Sequence, residues 1–306
     1  LIIITAFAVL LSAIYINHRI HLKLEAGLLV SPGQLVEVDG YNMSVYREGS
    51  GDTTLVFLSG GGTCSPILDF KSLYSRLSDE FSIAVVEKFG YGFSDITGRK
   101  RDIDSILEDT RSALSAAGAA APYVLCPHSM SGLEALYWVN KYPDEVSAIV
   151  GLDMAVPEYY DSMDINIPLM RAAGWAANIG VTRLIPGISD SDAIRHGTLS
   201  EREKDLYRAV FYRRTATANM INETEAVKEN ARTEDSMGVP QLPMLLFLSN
   251  GSGGTGFDTE ARREIPISYL SQVHDGIYVE LDCPHYVHNY EYEAISEAMR
   301  EFLSNQ

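Results

Sequence analysis

Apolar and polar positions alternate through Leu35-Val36-Glu37-Val38, break at Asp39-Gly40 and alternate again over 41–47. A period of two on both sides of an Asp-Gly turn predicts a β-hairpin. The pattern then changes. Residues 55–58, 83–86, 123–125, 148–152 and 245–248 are short, unbroken apolar runs, which is how strands buried on both faces read. Helical spacing fills the intervals at 68–77, 103–117, 133–141 and 290–303. Strands and helices in alternation predict a mostly parallel sheet with helices on both faces.

One interval breaks the alternation. Residues 156–240 hold helix-like, charged and Met-rich segments without a buried strand, and predict a helical cap inserted between two strands. Within it, Ser200 offers an N-cap to a helix running through Tyr212, and 219–231 forms another helical segment. Gly and Ser residues at 249–256 mark a loop. The predicted organisation is a core at 35–155 and 241–306, split by the cap at 156–240.

The amino end is different in kind. Residues 1–16 are uncharged and almost wholly apolar, and as a helix they would run about 24 Å. They predict a truncated membrane anchor, with 17–34 as a juxtamembrane linker. A signal-peptide core and a buried helix are the rivals, but no A-x-A-like cleavage site follows. Arg19 and Lys23 would by the positive-inside rule favour a cytoplasmic side, unless further cations precede Leu1. An extracytoplasmic catalytic domain is nevertheless the expectation carried forward.

Composition narrows the partners. The 306 residues carry a net charge of −17, which disfavours nucleic acid, because phosphate binding draws on clustered Lys and Arg. Cys64, Cys126 and Cys283 lack C-x-x-C spacing, so no zinc site is expected and they read as small buried hydrophobes. A small-molecule substrate and, through the first segment, the lipid bilayer remain as expected partners.

The chemistry centres on Pro127-His128-Ser129-Met130-Ser131-Gly132, which places a serine between an apolar strand and a helix. That is the setting of a nucleophile elbow, a strained turn needing small flanking residues; here Pro127 and Ser131 replace the usual glycines. Ser59-Gly60-Gly61-Gly62-Thr63 follows the strand at 55–58, where free backbone N–H groups can hold an oxyanion. The expected donors are the N–H groups of Gly61 and Met130. A phosphate loop would need a Lys-Ser/Thr pair that is missing. His285, in the loop before the last helix, is the candidate base, because that loop lies at the carboxyl edge of the sheet. His288 and His128 are expected to pack rather than react. Neither metal nor organic cofactor is implied.

This order of glycine-rich loop, serine elbow and late histidine resembles the α/β-hydrolase superfamily from Leu35 to Leu303. Further matches are Phe89-Gly90-Tyr91-Gly92-Phe93-Ser94-Asp95 and Lys141-Tyr142-Pro143-Asp144-Glu145-Val146. Ser59 and Glu87 depart from the family's usual His and Asp. The mixture is similar to membrane-anchored bacterial serine hydrolases of the proline-iminopeptidase and epoxide-hydrolase branch, and implies an eight-stranded sheet. In most relatives the acid follows the strand here at 245–248, but that stretch continues through Asn250 with no carboxylate before Asp258. Asp153, ending the preceding strand, is favoured as the acid, with Asp258 and an Asn250-assisted pair as alternatives.

The resemblance implies acyl transfer to water through Ser129, without cofactor. A carboxylic ester is the favoured substrate. The first alternative is an aminopeptidase acting on a short peptide, its α-amine held by Glu223 or Glu225, although these two read more readily as the solvated face of a cap helix; the second is a ligand-binding pseudoenzyme. Met163, Met170, Trp175, Met220 and Met237 are candidates for an acyl pocket or for a packed cap core.

Overall fold

The fold is known from a computed structural model that describes residues 2–253 and 259–306. Its strands are β1 (Gln34–Val38), β2 (Tyr41–Glu48), β3 (Thr54–Leu58), β4 (Ser82–Glu87), β5 (Tyr123–Pro127), β6 (Val146–Leu152), β7 (Met244–Leu248) and β8 (Gly276–Glu280). They form one eight-stranded sheet in the order β1-β2-β4-β3-β5-β6-β7-β8. The first two pairings are antiparallel and the other five parallel. Edge strand β8, outside the runs read as strands, carries the apolar triplet Ile277-Tyr278-Val279 with Ile277 and Tyr278 exposed.

Alternate side chains of each strand enter different cores, as the pleat requires. Val56, Leu58, Leu125, Ile149 and Leu246 pack on one face beneath α2 (Ile103–Ala116) and α3 (Ser131–Lys141). Leu55, Phe57, Val124, Val150 and Phe247 pack on the other. The helix expected at 68–77 is two turns, Pro66–Asp69 and Lys71–Tyr74. Phe70 joins them, its ring buried against Phe57 and His288.

The segment between β6 and β7 folds as a helical layer of α4 (Ile167–Asn178), α5 (Glu201–Arg214) and α6 (Ala218–Asp235). Ser200 and Glu203 close a capping box at the start of α5. Helix α7 (Thr259–Leu270) precedes β8, and α8 (Tyr292–Ser304) ends the fold.

The amino-terminal helix, α1 (Ile2–Leu24), is long and apolar enough to cross a membrane. Ile2, Ile3, Ile4, Phe7, Val9 and Leu10 are all exposed. The helix does not stop at residue 16: residues 17–24, expected as linker, continue it and seat it on the cap. His18 is buried there and accepts a 2.9 Å hydrogen bond from Arg183 Nε. Glu25 just beyond joins Arg183 at 2.7 Å and Arg213 at 2.9 Å.

Candidate active site

Strand register brings the candidate residues to one edge. Leu58 pairs with Pro127, His128 bridges to Leu152, and Leu152 pairs with Phe247. The chain segments leaving β3, β5, β6 and β7 therefore converge at the carboxyl ends of the parallel strands, where open α/β sheets hold their ligands.

Ser129 has φ of +54° and Asp153 +47°. Left-handed backbone is costly for residues with a Cβ and clusters at functional sites. The elbow is held by its neighbours. Ser131 is buried, its hydroxyl donating to Leu58 O at 2.7 Å and accepting from His128 N at 3.1 Å. The hydroxyl thus fastens the turn to β3, which gives this departure from glycine a structural role. A Cβ on Gly60 would stand 2.6 Å from the Ser129 Cβ, so the glycine-rich loop must lack a side chain there. Among the described residues, the N–H groups of Gly61 and Met130 have no acceptor.

His285 Nδ1 lies 2.6 Å from Asp153 Oδ2, and both side chains are buried. Asp153 Oδ1 accepts from Ser249 N at 2.9 Å. Burial raises the Asp153 carboxyl, but the His285 hydrogen bond and charge and the Arg262 charge outweigh it and hold it below its ordinary range. Burial pulls His285 down more than Asp153 lifts it, which keeps the imidazole neutral into mildly acidic solution. Among the described residues, neither Ser129 Oγ nor His285 Nε2 makes a hydrogen bond.

The other candidate acids stand elsewhere. Asn250 donates its amide to Asp282 at 3.0 Å, away from His285. Asp258 lies outside the described residues. Glu223 is buried on α6 and paired with Lys88, and with Arg101 at 3.1 Å. Glu225 pairs with Arg171 on the surface. Neither glutamate lines the cavity over Ser129.

That cavity has a volume of about 540 Å³, within the range of small-molecule sites. Gly61, Ser129, Met130 and Asp153 line its core side. Met163, Met170 and Met220 line its cap side, whereas Trp175 and Met237 do not reach it and are exposed. Gly62 also borders a smaller cavity of about 260 Å³ lined by Thr63, Cys64, Tyr207 and Phe211.

Two features escape sequence reasoning. Arg262, near the start of α7, reaches Asp153 with Nε at 3.2 Å and Nη2 at 3.0 Å; its local sequence, Glu260-Ala261-Arg262-Arg263, is that of any solvated helix. His128 holds its partner's backbone, with Nε2 donating to His285 O at 3.2 Å. Burial pushes His128 far below its usual range, so it is neutral. His288 instead donates from Nε2 to Asp69 at 2.9 Å. Among the described residues, no group of three or more His, Cys, Asp or Glu is placed to hold a metal.

No protein-family profile matches the chain. It is 34% identical to the uncharacterised protein YbdG of Bacillus subtilis over 298 residues, which cover 95% of this chain and 91% of YbdG. A shorter match, 28% identical over 118 residues, covers 39% of this chain and 41% of 2-(acetamidomethylene)succinate hydrolase from Mesorhizobium japonicum. In fold it is similar to epoxide hydrolase VrEH1 of Vigna radiata, with a TM-score of 0.68 at 18% identity over 90% of this chain and 98% of that one. The enol-lactonase of Burkholderia xenovorans superposes with a TM-score of 0.66 at 16% identity, over 89% of this chain and 100% of its own. The chain belongs to one family with YbdG and has the α/β-hydrolase fold.

Proposed function

We propose that the chain is a serine hydrolase that cleaves a carboxylic ester or related acyl bond through an acyl-enzyme on Ser129. The observation that carries this reading is the His285–Asp153 contact of 2.6 Å beside a left-handed serine whose neighbouring N–H groups are unoccupied. His285 takes the Ser129 proton as Oγ attacks the acyl carbon, and Asp153 holds the imidazole and offsets its charge. Negative charge developing on the acyl oxygen falls to the Gly61 and Met130 N–H groups. The imidazolium then protonates the leaving oxygen, and water repeats the sequence to free Ser129 and the acid. The missing Ser129–His285 hydrogen bond is expected to form when an acyl group fills the cavity, since such contacts are often long before substrate binds.

An aspartate nucleophile, which haloalkane dehalogenase and epoxide hydrolase chemistry require, is absent at position 129. The glutamates that would hold an α-amine lie outside the cavity, so ester cleavage is preferred to aminopeptidase action. A fluorophosphonate probe tests the reading directly. It is expected to label the wild type and spare Ser129→Ala, with 4-nitrophenyl ester turnover lost in parallel. An unlabelled wild type with no turnover would favour the pseudoenzyme.

A further inference from the structure

Resting on the hydrolase reading, this inference names the class of acyl group that the cavity accepts. Among the described residues, three charged side chains line the cavity: Asp153, Asp164 and Arg262. Asp164 is exposed, whereas the Arg262 side chain is 6% exposed and lies against Asp153. Arg262 does more than neutralise that carboxylate. The Nη2 atom that approaches Asp153 also lies 2.6 Å from His285 Nδ1, while Nη1 is buried without a partner among the described residues.

A guanidinium carries donors and no acceptor. If His285 Nδ1 carries its proton toward Asp153, the Arg262 Nη2 group confronts another N–H at 2.6 Å. If Nδ1 is bare it accepts from Nη2, but its lone pair then faces the Asp153 carboxylate 2.6 Å away. In that tautomer the proton sits on Nε2, the nitrogen that must receive the Ser129 proton. Neither arrangement satisfies all three groups, and the second disables the base. The resting site thus holds one cation too close to its imidazole and one guanidinium edge with nothing to bind.

The geometry points to Arg262 as an anion-recognition residue: the substrate carries a carboxylate on its acyl portion, which binds the free Nη1 edge and draws the guanidinium off His285 Nδ1. A carboxylate matches the guanidinium fork in charge and shape. Once Nη2 is withdrawn, Nδ1 keeps its proton for Asp153 and Nε2 is left bare toward Ser129. Recognition and activation are then one event, and a neutral acyl chain supplies neither.

The test uses two esters of equal acyl length, 4-nitrophenyl hexanoate and mono-4-nitrophenyl adipate, on the full chain. Wild type is expected to favour the adipate ester by about tenfold or more in kcat/KM. In Arg262→Gln that preference collapses while kcat on the hexanoate rises, because the cation opposing the catalytic tautomer is gone; Arg262→Lys restores part of the preference. A wild type that favours the hexanoate, or a Gln variant that loses both activities equally, overturns the proposal. Calorimetric titration of free adipate into Ser129→Ala reads recognition without chemistry, and binding should vanish on adding Arg262→Gln. Adipate binding with no turnover of either ester sinks the hydrolase reading alone. Hexanoate turnover without adipate binding sinks this one, and the titration of Ser129→Ala decides if the Gln variant does not fold.

Discussion

Residue spacing made Ser129, His285 and the glycine-rich loop legible, because each follows a recognisable strand and needs a particular residue type. The choice among acids was harder to read. Asp153 and Asn250 each follow a strand, and only the fold reveals that the Asn250 amide turns to Asp282 while Asp153 meets His285. Asp153→Asn is expected to lower kcat by about 10³–10⁴-fold, because the amide no longer fixes the productive tautomer or offsets imidazolium charge. The pH profile gives the sign. Burial already depresses His285 and Asp153 is the partner that raises it, so removing the carboxylate lowers it further. The acid limb of kcat/KM, set by protonation of the free base, should lie below pH 6.5 in wild type and move lower still in the variant. A limb that stays fixed, with activity retained, would return the role to another residue. Arg262 had no sequence signal at all, since a buried arginine and a solvated one share the same letter and the same helical neighbourhood.

At the scale of elements, the alternating hairpin and five apolar runs marked seven strands, while edge strand β8 offers only the short triplet Ile277-Tyr278-Val279. The glutamates of α6 illustrate the limit of periodicity. Sequence left Glu223 and Glu225 as a solvated helix face or an amine site, yet Glu223 is buried between Lys88 and Arg101 and docks the cap on the core. Burial raises its carboxyl, but the two cations hold it below its ordinary range, so the ion pair is intact above the unfolded value and weakens as pH falls. Glu223→Ala removes the nearest carboxylate from two buried cations, leaving Lys88 with Glu134 at 4.0 Å and Arg101 with Asp109 at 3.6 Å, and is expected to destabilise the chain by roughly 3–5 kcal/mol. Glu225→Ala removes an exposed pair and should cost under about 1 kcal/mol. Chemical denaturation of both variants measures the contrast. Equal losses would show that α6 does not depend on this buried network, whereas a KM effect confined to aminoacyl substrates would reopen the amine site.

For the whole molecule, the amino-terminal apolar segment was plain in the sequence, but its hydrogen-bonded connection to the cap was not. That connection depends on His18 meeting Arg183 and on Glu25 joining Arg183 to Arg213, contacts about 160 to 190 residues apart along the chain. Helix α1 thus leaves the cap from these contacts with its apolar half bare. Leu184 and Ile185, beside the Arg183 that seats it, are exposed as well. Were this half to enter a bilayer, the cap would face the lipid. Apolar burial of this kind is insensitive to ionic strength, and a net charge of −17 opposes adsorption to anionic lipid. The full chain should float with neutral phosphatidylcholine vesicles at both low and high salt. Deleting residues 1–16 spares the His18 and Glu25 contacts, so the shortened protein should stay folded, keep its esterase turnover in solution and no longer float. Flotation that survives the deletion would transfer the membrane contact to the cap alone, and a full chain that remains in the soluble fraction would remove it altogether.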